Sequence, residues 1–401
     1  MTTIDLADLP RDYLDSRMVL NVGPSHPATH GTFRFSVELD GETILQCTTE
    51  IGYLHRAFEK MAEQGTYTQV IPYTDRLNYC SAMINNTGFA LAVERLLGIE
   101  VTPRCKAIRI LFNELSRIMD HLVCIGANAV DIGALTNFWY FFRPREEIYG
   151  LIEAICGARL TTSFTRIGGL SADAPEGFVE QARSILPGID EAIATVDRLL
   201  TNNRIFIDRM SGVGVISKSD AISYAFTGPC LRASGVSYDV RRAQPYLGYD
   251  QLDFEIPTRT EGDNYARYLV RMEEMRQSRR IVDQVLDTFP EGPINVDRPD
   301  VVLPPKSRTG NEMEALIRHF KLIMEGVKPP KGEIYHCTEG ANGELGFYIV
   351  SDGSGHPYRV RVRPPCFPIL SAFPRMVCGS MLADLVATLG SLNIIAGELD
   401  R

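Results

Sequence analysis

The segment Gly23-Pro-Ser-His-Pro-Ala-Thr-His-Gly31 packs histidines, prolines and glycines between two strand-like runs, as a rigid loop would. His26 and His30 have the spacing of a metal pair on a helix, but Pro27 and Gly31 directly follow them and oppose that helix. Either the imidazoles brace the turn, or the turn presents an imidazole, which titrates near neutral pH, to a carbonyl-bearing ligand. In Ile51-Gly-Tyr-Leu-His-Arg-Ala-Phe-Glu-Lys60, Arg56 and Glu59 are spaced to pair on one helical face, by default as a surface ion pair. Thr68-Gln-Val-Ile-Pro-Tyr-Thr-Asp-Arg-Leu-Asn-Tyr79 offers Thr74 or Asp75 as a helix cap behind Pro72, which puts Tyr79 in the first turn. A tyrosine there packs against the core or turns its hydroxyl toward a cavity. Glu114, Arg117, Asp120 and His121 bring charge into an apolar run, and Glu114, Arg117 and His121 share one face, either solvated or joined in a buried network. Asp131, between Ala129-Val130 and Ile132-Gly133, needs a cationic or imidazole partner.

The elements that must position these groups give an α+β fold. Met18 to Val22, Thr32 to Leu39 and Glu42 to Thr48 read as strands, with Asp40-Gly41 as a hairpin turn. Apolar residues at Ile108, Leu111, Leu115, Ile118, Leu122 and Ile125 step by three and four through a long buried helix. Helices are predicted over Tyr53 to Gln64, Asp75 to Leu97, Arg104 to Asn128, Arg145 to Leu160 and Pro175 to Leu200, which makes a central antiparallel bundle. Gly212 to Tyr249 reads as loops, and Asp263 to Thr288 as a charged helix. The C-terminal part is a smaller α+β unit. It has a helix near Asn311 to Gly326, strands at Ile334 to Thr338, Leu345 to Ser351 and Tyr358 to Arg363, and a helix near Met381 to Leu389. The expected organisation is an N-terminal antiparallel sheet with the histidine loop over 1–50, a helical bundle over 51–211, a loop-rich segment with long helices over 212–330, and a C-terminal α+β part over 331–401.

Bulk properties exclude several classes of function. A net charge of -9 and a pI near 5.4 do not supply the basic surface that nucleic acid requires. Met1-Thr-Thr-Ile-Asp-Leu-Ala-Asp8 lacks the basic and apolar regions of a signal peptide, so the chain is expected to stay in the cytoplasm. The apolar stretches Ile125 to Phe142 and Met381 to Gly397 contain Asp131 and Asp384 and do not read as membrane spans. Nine widely spaced cysteines are expected as free, buried thiols, and no two of them form a Cys-x-x-Cys pair. There are no internal repeats, and no glycine set forms the dinucleotide fingerprint G-x-G-x-x-G.

The histidine loop, Gly52-Tyr-Leu-His-Arg56 and Pro72-Tyr-Thr-Asp-Arg-Leu-Asn-Tyr79 together resemble the D subunit of respiratory complex I, the NADH:quinone oxidoreductase. Further motifs follow in that family's order: Gly157-Ala-Arg-Leu160, Thr201-Asn-Asn-Arg204, Leu231-Arg-Ala-Ser-Gly235, Gln244-Pro-Tyr246, Val270-Arg-Met-Glu-Glu-Met-Arg-Gln-Ser278, Gly343-Glu-Leu-Gly346, Ser351-Asp-Gly-Ser354 and Gly397-Glu-Leu-Asp-Arg401. The resemblance runs from about Met18 to Arg401 and implies a fold similar to the large subunit of nickel-iron hydrogenases. Those hydrogenases hold their metals with two Cys-x-x-Cys pairs. Without them, the metal cavity is open to quinone and this chain supplies no metal or Fe-S ligands.

By motif, the resemblance places the hydrogen bonds to the quinone head group on His30 and Tyr79, and the carboxylate that orients the histidine on Asp131. Arg56 falls on an arginine near the terminal 4Fe-4S cluster of the neighbouring small subunit, the expected electron donor. NADH and the clusters are expected in other subunits. The expected partners are that small subunit, the C subunit of the complex and the membrane subunit at the quinone tunnel. Together they make a proton-translocating assembly on the cytoplasmic side of the cell inner membrane, where this subunit lies peripherally and is not active alone. Three residues depart from the family's pattern. Ala57 stands where the family often has glycine, Ser25 where many members have glutamine, and Thr161 where many place a histidine beside the cluster; the last implies a lower-potential cluster and menaquinone. The alternatives are a hydrogenase-like large subunit, which the missing Cys-x-x-Cys pairs oppose, and a non-catalytic docking scaffold, which His30, Tyr79 and Asp131 oppose.

Overall fold

In the computed structural model, residues 17–401 are described; the reading of Met1 to Asp8 as carrying no signal peptide lies outside them. Strands β1 (Arg17–Val22), β2 (Arg34–Asp40) and β3 (Thr43–Glu50) form an antiparallel sheet in that order. The alternation in β2 does what period two requires, since Phe35, Val37 and Leu39 are fully buried on one face. Gly41, at φ +60°, closes the β2–β3 hairpin.

Helices α1 (Phe58–Gln64), α2 (Tyr67–Thr74), α3 (Ala82–Leu97), α4 (Pro103–Asp131), α5 (Leu135–Cys156), α6 (Phe178–Val196) and α7 (Asn264–Asp287) follow. The chain ends with helix α8 (Met313–Met324), an antiparallel sheet of β4 (Gly332–Gly340), β5 (Gly343–Ser351) and β6 (Arg359–Arg363), and helices α9 (Leu382–Leu392) and α10 (Ala396–Asp400). The fold is α+β, as expected from the pattern. No helix among the described residues is long and apolar enough to cross a membrane.

Several predicted boundaries move, each for a local reason. α1 starts at Phe58, not Tyr53, because Ala57 before it adopts a left-handed φ of +54°. The segment predicted to cap the next helix is itself helical. Thr66 and Gln69 form a reciprocal capping box that starts α2, and Pro72 lies inside it. α3 therefore begins at Ala82, and Tyr79 lies before it. α5 begins at Leu135, ten residues earlier than predicted, and carries Pro144 within it. Between Gly212 and Tyr249, read as loops, the short helices Lys218–Ser223, Gly228–Arg232 and Val240–Ala243 form, and the last two carry the buried Arg232 and Arg241.

α4 is the central element. Thr102 caps it by accepting a hydrogen bond from the Cys105 N–H at 3.3 Å, Pro103 opens it, and α3, α5, α7 and α9 pack around it. Glu114, Arg117, Asp120 and His121 are all at most 1% exposed, so the shared face is a buried network and not a solvated one. The Glu114 carboxylate accepts from Arg117 Nε (3.2 Å), Arg241 Nη1 (3.0 Å), Tyr249 Oη (2.8 Å) and Ser278 Oγ (2.7 Å). Arg117 also donates to the carbonyls of Glu339 (2.7 Å) and Gly340 (2.8 Å) at the end of β4. Farther along α4, His121 Nε2 lies 2.9 Å from Glu274 Oε2 on α7. Glu274 in turn takes Arg232 Nε at 2.8 Å, and Arg232 reaches Glu339 Oε1 at 2.8 Å. The network thus ties α4 to α7, to the 228–249 segment and to β4.

Burial alone would raise the Glu114 and Glu274 carboxyls. The arginines facing them, with the hydroxyls at Glu114 and the imidazole at Glu274, instead hold both at about 2. Because both ionise below their ordinary value of 4.5, their contribution to stability is complete above about pH 4.5 and is lost as pH falls toward about 2. Glu114→Ala leaves Arg117 and Arg241 buried with less counter-charge, and is expected to cost about 3–5 kcal/mol. Urea unfolding of the purified chain at pH 7 and at pH 4 measures both effects: the variant should unfold much earlier at pH 7, and the gap to the parent should narrow with acid.

Candidate functional site at the C-terminal end of the central helix

His26-Pro-Ala-Thr-His30 folds as one tight turn, Pro27–Thr29, against the end of α4 and the side of α9. His26 is exposed and its Nδ1 accepts the Ala28 N–H at 3.2 Å, so this imidazole braces the turn. Thr29 is fully buried and its hydroxyl lies 2.7 Å from the His26 carbonyl and 2.8 Å from that of Gly31. His30 ends the turn at φ +52°, a left-handed conformation uncommon for a side-chain-bearing residue but most accessible to Asn, Asp and His. Its Nε2 then lies 2.8 Å from Oδ2 of Asp131, the last residue of α4. The imidazole facing Asp131 is therefore that of His30, although the approach lacks the angles of a hydrogen bond and leaves Oδ2 without one among the described residues. α9 closes the site from behind at Gly390, where a Cβ would come within 2.6 Å of Asn128 Oδ1 and 3.0 Å of Asp131 Oδ2.

Tyr79 sits in a short 3-10 turn, Tyr79–Ser81, before α3. Asn78 fixes that turn from both ends of its amide: Oδ1 accepts the Cys80 N–H at 3.1 Å, and Nδ2 donates to Asp120 Oδ2 at 2.8 Å. Although 39% of Tyr79 is exposed, burial of the phenol, reinforced by Cys80, Asp120 and Cys366, pushes its pKa up to about 12. Tyr79 thus keeps its proton at neutral pH. No hydrogen bond joins it to His30 or Asp131. The link between them is α4, on which Asp120 and Asp131 lie about three turns, or roughly 16 Å, apart on nearly the same face.

Arg56 is exposed in the loop before α1 and lines a cleft with Tyr73, Arg76, Leu77, Gly397 and Arg401. It does not pair with Glu59, because the helix begins only at Phe58. Glu59 takes Arg361 at 3.2 Å and the Val362 N–H at 3.0 Å. The loop is instead held by the C-terminal residues, where the Asp400 carboxylate accepts the N–H groups of Gly52 (2.9 Å) and Leu54 (2.7 Å). The His55 imidazole adds a contact to the Asp400 carbonyl at 2.6 Å.

Among the described residues no three His, Cys, Asp or Glu side chains converge on a metal position, and the nine cysteines are unpaired, six of them buried. The more prominent clefts lie elsewhere, one of them between Leu97, Pro299 and α8. Beside the His30–Asp131 pair, Val130, Leu135, Trp139 and Tyr140 are exposed around the α4–α5 corner.

A family model described as respiratory-chain NADH dehydrogenase, 49 Kd subunit, matches residues 131–401. The chain belongs to that family. It is 56% identical over 393 residues to the combined C/D subunit of NADH-quinone oxidoreductase from Bdellovibrio bacteriovorus, an alignment covering 98% of this chain and 70% of that protein. It is 52% identical to the NADH-quinone oxidoreductase D 1 subunit of Sorangium cellulosum, covering 99% of this chain and 98% of the relative. With the D subunit of Myxococcus xanthus the identity is 53%, covering 96% and 93% of the two chains. Alignments of this extent reach well beyond the segment matched by the family model.

Sequence reading did not single out the buried side chains behind Tyr79. Asn78, Asn342, Cys366, Asn393 and Glu398 come from separate stretches of the chain, and only folding brings them to Asp120. Two of them stand in family motifs, Asn78 beside Tyr79 and Glu398 in the terminal Gly397-Glu-Leu-Asp-Arg401, without a pattern that marks either as part of a site.

Ala57 gives a direct test of the local geometry. Its left-handed φ costs an L side chain about 1–2 kcal/mol, of which less than about 1 kcal/mol is returned by the lower entropy of the unfolded alanine chain. Ala57→Gly is expected to raise the chain's stability by up to about 1 kcal/mol in chemical denaturation. A lower midpoint would contradict the conformation.

Proposed function

We propose that this chain forms the quinone-facing wall of an NADH-quinone oxidoreductase, with His30 and Tyr79 as the proton-donating groups and Asp131 as the residue that orients His30. The observation that carries the reading is the 2.8 Å approach of His30 Nε2 to the Asp131 carboxylate, at the end of a helix whose neighbouring surface is apolar and open. Converting a quinone to a quinol takes two electrons and two protons. A carboxylate-braced imidazole and a phenol that stays protonated at neutral pH are suited to deliver the protons. The exposed Val130, Leu135, Trp139 and Tyr140 suit an apolar quinone and the surfaces of neighbouring subunits.

Electrons reach the quinone from a 4Fe-4S cluster in the adjacent small subunit, and the exposed Arg56 offers that cluster a fixed positive charge. The relative named as a C/D subunit joins two designations in one protein, of which this chain covers 70%, so a separate C subunit is a natural neighbour. The assembly, peripheral to the cytoplasmic face of the inner membrane at this chain, couples quinone reduction to proton translocation as a whole.

In the assembled complex, His30→Ala and Tyr79→Phe are each expected to slow NADH-driven quinone reduction on the order of a hundredfold, the lower range for losing a positioned proton donor. NADH reduction of an artificial acceptor such as ferricyanide should survive in both. Unchanged quinone reduction in both variants would remove the site.

Thr161, half-buried and at φ +46°, sits in a loop that Asp75 pins through the Ser163 N–H (3.0 Å) and hydroxyl (2.6 Å). With no titrating cation at this position, the neighbouring cluster is expected at low potential, matched to menaquinone. Thr161→His should raise the cluster's midpoint and make it pH-dependent in a redox titration followed by electron paramagnetic resonance. An unaltered midpoint would separate Thr161 from the cluster.

A further inference from the structure

Helix α10 (Ala396–Asp400) is short, but it is buried and it touches all three loops that carry the site residues. Its first residue meets the histidine loop: a Cβ on Gly31, the neighbour of His30, would come 3.1 Å from the Ala396 Cβ. Its second residue lies against the backbone that leads to Tyr79. A Cβ on Gly397 would come 2.3 Å from the Arg76 carbonyl oxygen and 2.9 Å from that of Leu77, so no larger residue fits unless the two segments move apart. Its last residue holds the loop that leads to Arg56. One oxygen of the Asp400 carboxylate accepts the Gly52 N–H at 2.9 Å and the other the Leu54 N–H at 2.7 Å, and the Asp400 carbonyl lies 2.6 Å from His55 Nδ1. Residues 51–56 are all exposed, and among the described residues their hydrogen bonds to distant parts of the chain run to Asp400 alone.

We propose that α10 keeps the electron entry and the quinone groups in register, with Asp400 the positioning residue for Arg56 and Gly397 the positioning residue for Tyr79. This rests on the quinone site and on the placing of Arg56 beside the cluster, both proposed above. A cation favours the reduced form of a cluster more strongly the closer it is held, and an exposed charge that drifts away is screened by salt. Arg56 directly follows His55, so freeing Gly52, Leu54 and His55 from Asp400 frees Arg56 with them. The proton donors need a tighter tolerance, since a misplacement of about 1 Å costs on the order of a hundredfold in rate. Gly397 sets how closely the Arg76 and Leu77 backbone, and with it Asn78 and Tyr79, approaches the histidine loop, because the residue before it abuts Gly31.

The residue types suit the task. An ionised carboxylate is acceptor-only and offers two oxygens, so Asp400 can hold two amides at once, with the added strength of its charge. An amide side chain would accept with one oxygen only, and alanine with none. Glycine at 397 is what lets helix and backbone meet without a side chain between them. The helix is itself held fast. Ile395, Ala396 and Leu399 belong to the core that includes Leu370 and Phe373, and the Arg401 guanidinium lies 4.8 Å from the Phe367 ring. Gly397 and Arg401 also line one cleft with Arg56, Arg76 and Leu77, so the helix stands between the loop of Arg56 and the turn of Tyr79.

The test uses the assembled complex in membranes and two readouts: the midpoint of the neighbouring cluster in a redox titration followed by electron paramagnetic resonance, and the rate of NADH-driven quinone reduction, with ferricyanide reduction as the control. Asp400→Ala should shift the midpoint downward, in the direction of Arg56→Met, and Asp400→Asn, which keeps one acceptor, should fall between Ala and the parent. Gly397→Ala alters neither Arg56 nor Tyr79. It should nevertheless slow quinone reduction by up to about a hundredfold and lower the midpoint as well, because the helix pushed off Arg76 and Leu77 carries Asp400 with it. A parent midpoint in both Asp400 variants overturns the clamp, and a Gly397→Ala complex that keeps either readout at the parent's value overturns the shared register. If Gly397→Ala fails to assemble, Asp400→Asn decides: a lowered midpoint supports the proposal and the parent's midpoint overturns it. Arg56→Met and Tyr79→Phe run in parallel separate it from the readings on which it rests. A lowered midpoint in Arg56→Met beside unchanged Asp400 variants leaves Arg56 at the cluster and removes only the role of α10. The parent's midpoint in Arg56→Met, or the parent's rate in Tyr79→Phe, removes that half of the site and the positioning residue assigned to it.

Discussion

Charge buried in the middle of α4 is the constraint from which the rest of the structure follows. Glu114, Arg117, Asp120 and His121 sit on a helix whose middle is core, so all four must find partners inside the protein. None of the partners is close in sequence except Arg117 for Glu114. Arg241 and Tyr249 come from the 228–249 region, Ser278 and Glu274 from α7, and the carbonyls of Glu339 and Gly340 from β4. Asp239 and Glu339 meet at Arg232; Asp239 stays ionised on Arg241, while burial and the charge of Asp239 push the Glu339 carboxyl up. A network this densely paired, with His121 Nδ1 and Arg232 Nη2 the members left without a hydrogen bond among the described residues, favours one packing of four distant segments over alternatives that would strand a charge.

That constraint also explains what could be read from the sequence and what could not. α4 and α7 were legible because their patterns and caps are local: Thr102 and Pro103 at one start, Asp263 at the other. The N-terminal and C-terminal sheets follow from alternation and glycine in the same local way. The 228–249 region was misjudged as loop because its glycines, prolines and serines are real, but Arg232 and Arg241 are there to pair with acids on α4, α7 and β4. Only the tertiary contact shows that. Arg56 and Glu59 erred in the opposite direction. Their spacing fits a helix, but the left-handed Ala57 keeps Arg56 outside it and frees it to face outward.

At the site, the single pair His30 and Asp131 was legible as a need: a carboxylate among apolar neighbours and an imidazole on a rigid loop. The set behind Tyr79 was not, because amides, a thiol and a carboxylate scattered over the chain have no periodic signature. Asp120 was visible early as one of the charges in the long helix, though off the face that Glu114, Arg117 and His121 share. In the folded chain it bonds instead to Asn78 and Asn393, apart from the arginines that hold Glu114.

The two halves of the site therefore depend on one rigid element in different ways. His30 is fixed by the last residue of α4, which α9 approaches at Gly390, where a side chain would collide. Tyr79 is fixed through Asn78 by Asp120, about three turns earlier. The ionic network clamps the same helix at Glu114 and His121, on the residues leading up to and just past Asp120. A helix of this length would bend if a side chain or water entered its backbone ladder. With its middle tied to α7, β4 and the 228–249 segment, the spacing between the two anchors, Asp131 and Asp120, is set by the helix backbone. The left-handed backbones of His30, at φ +52°, and Ala57, at φ +54°, lie on loops that meet this scaffold, which is where strain is tolerated when the surroundings over-determine the conformation.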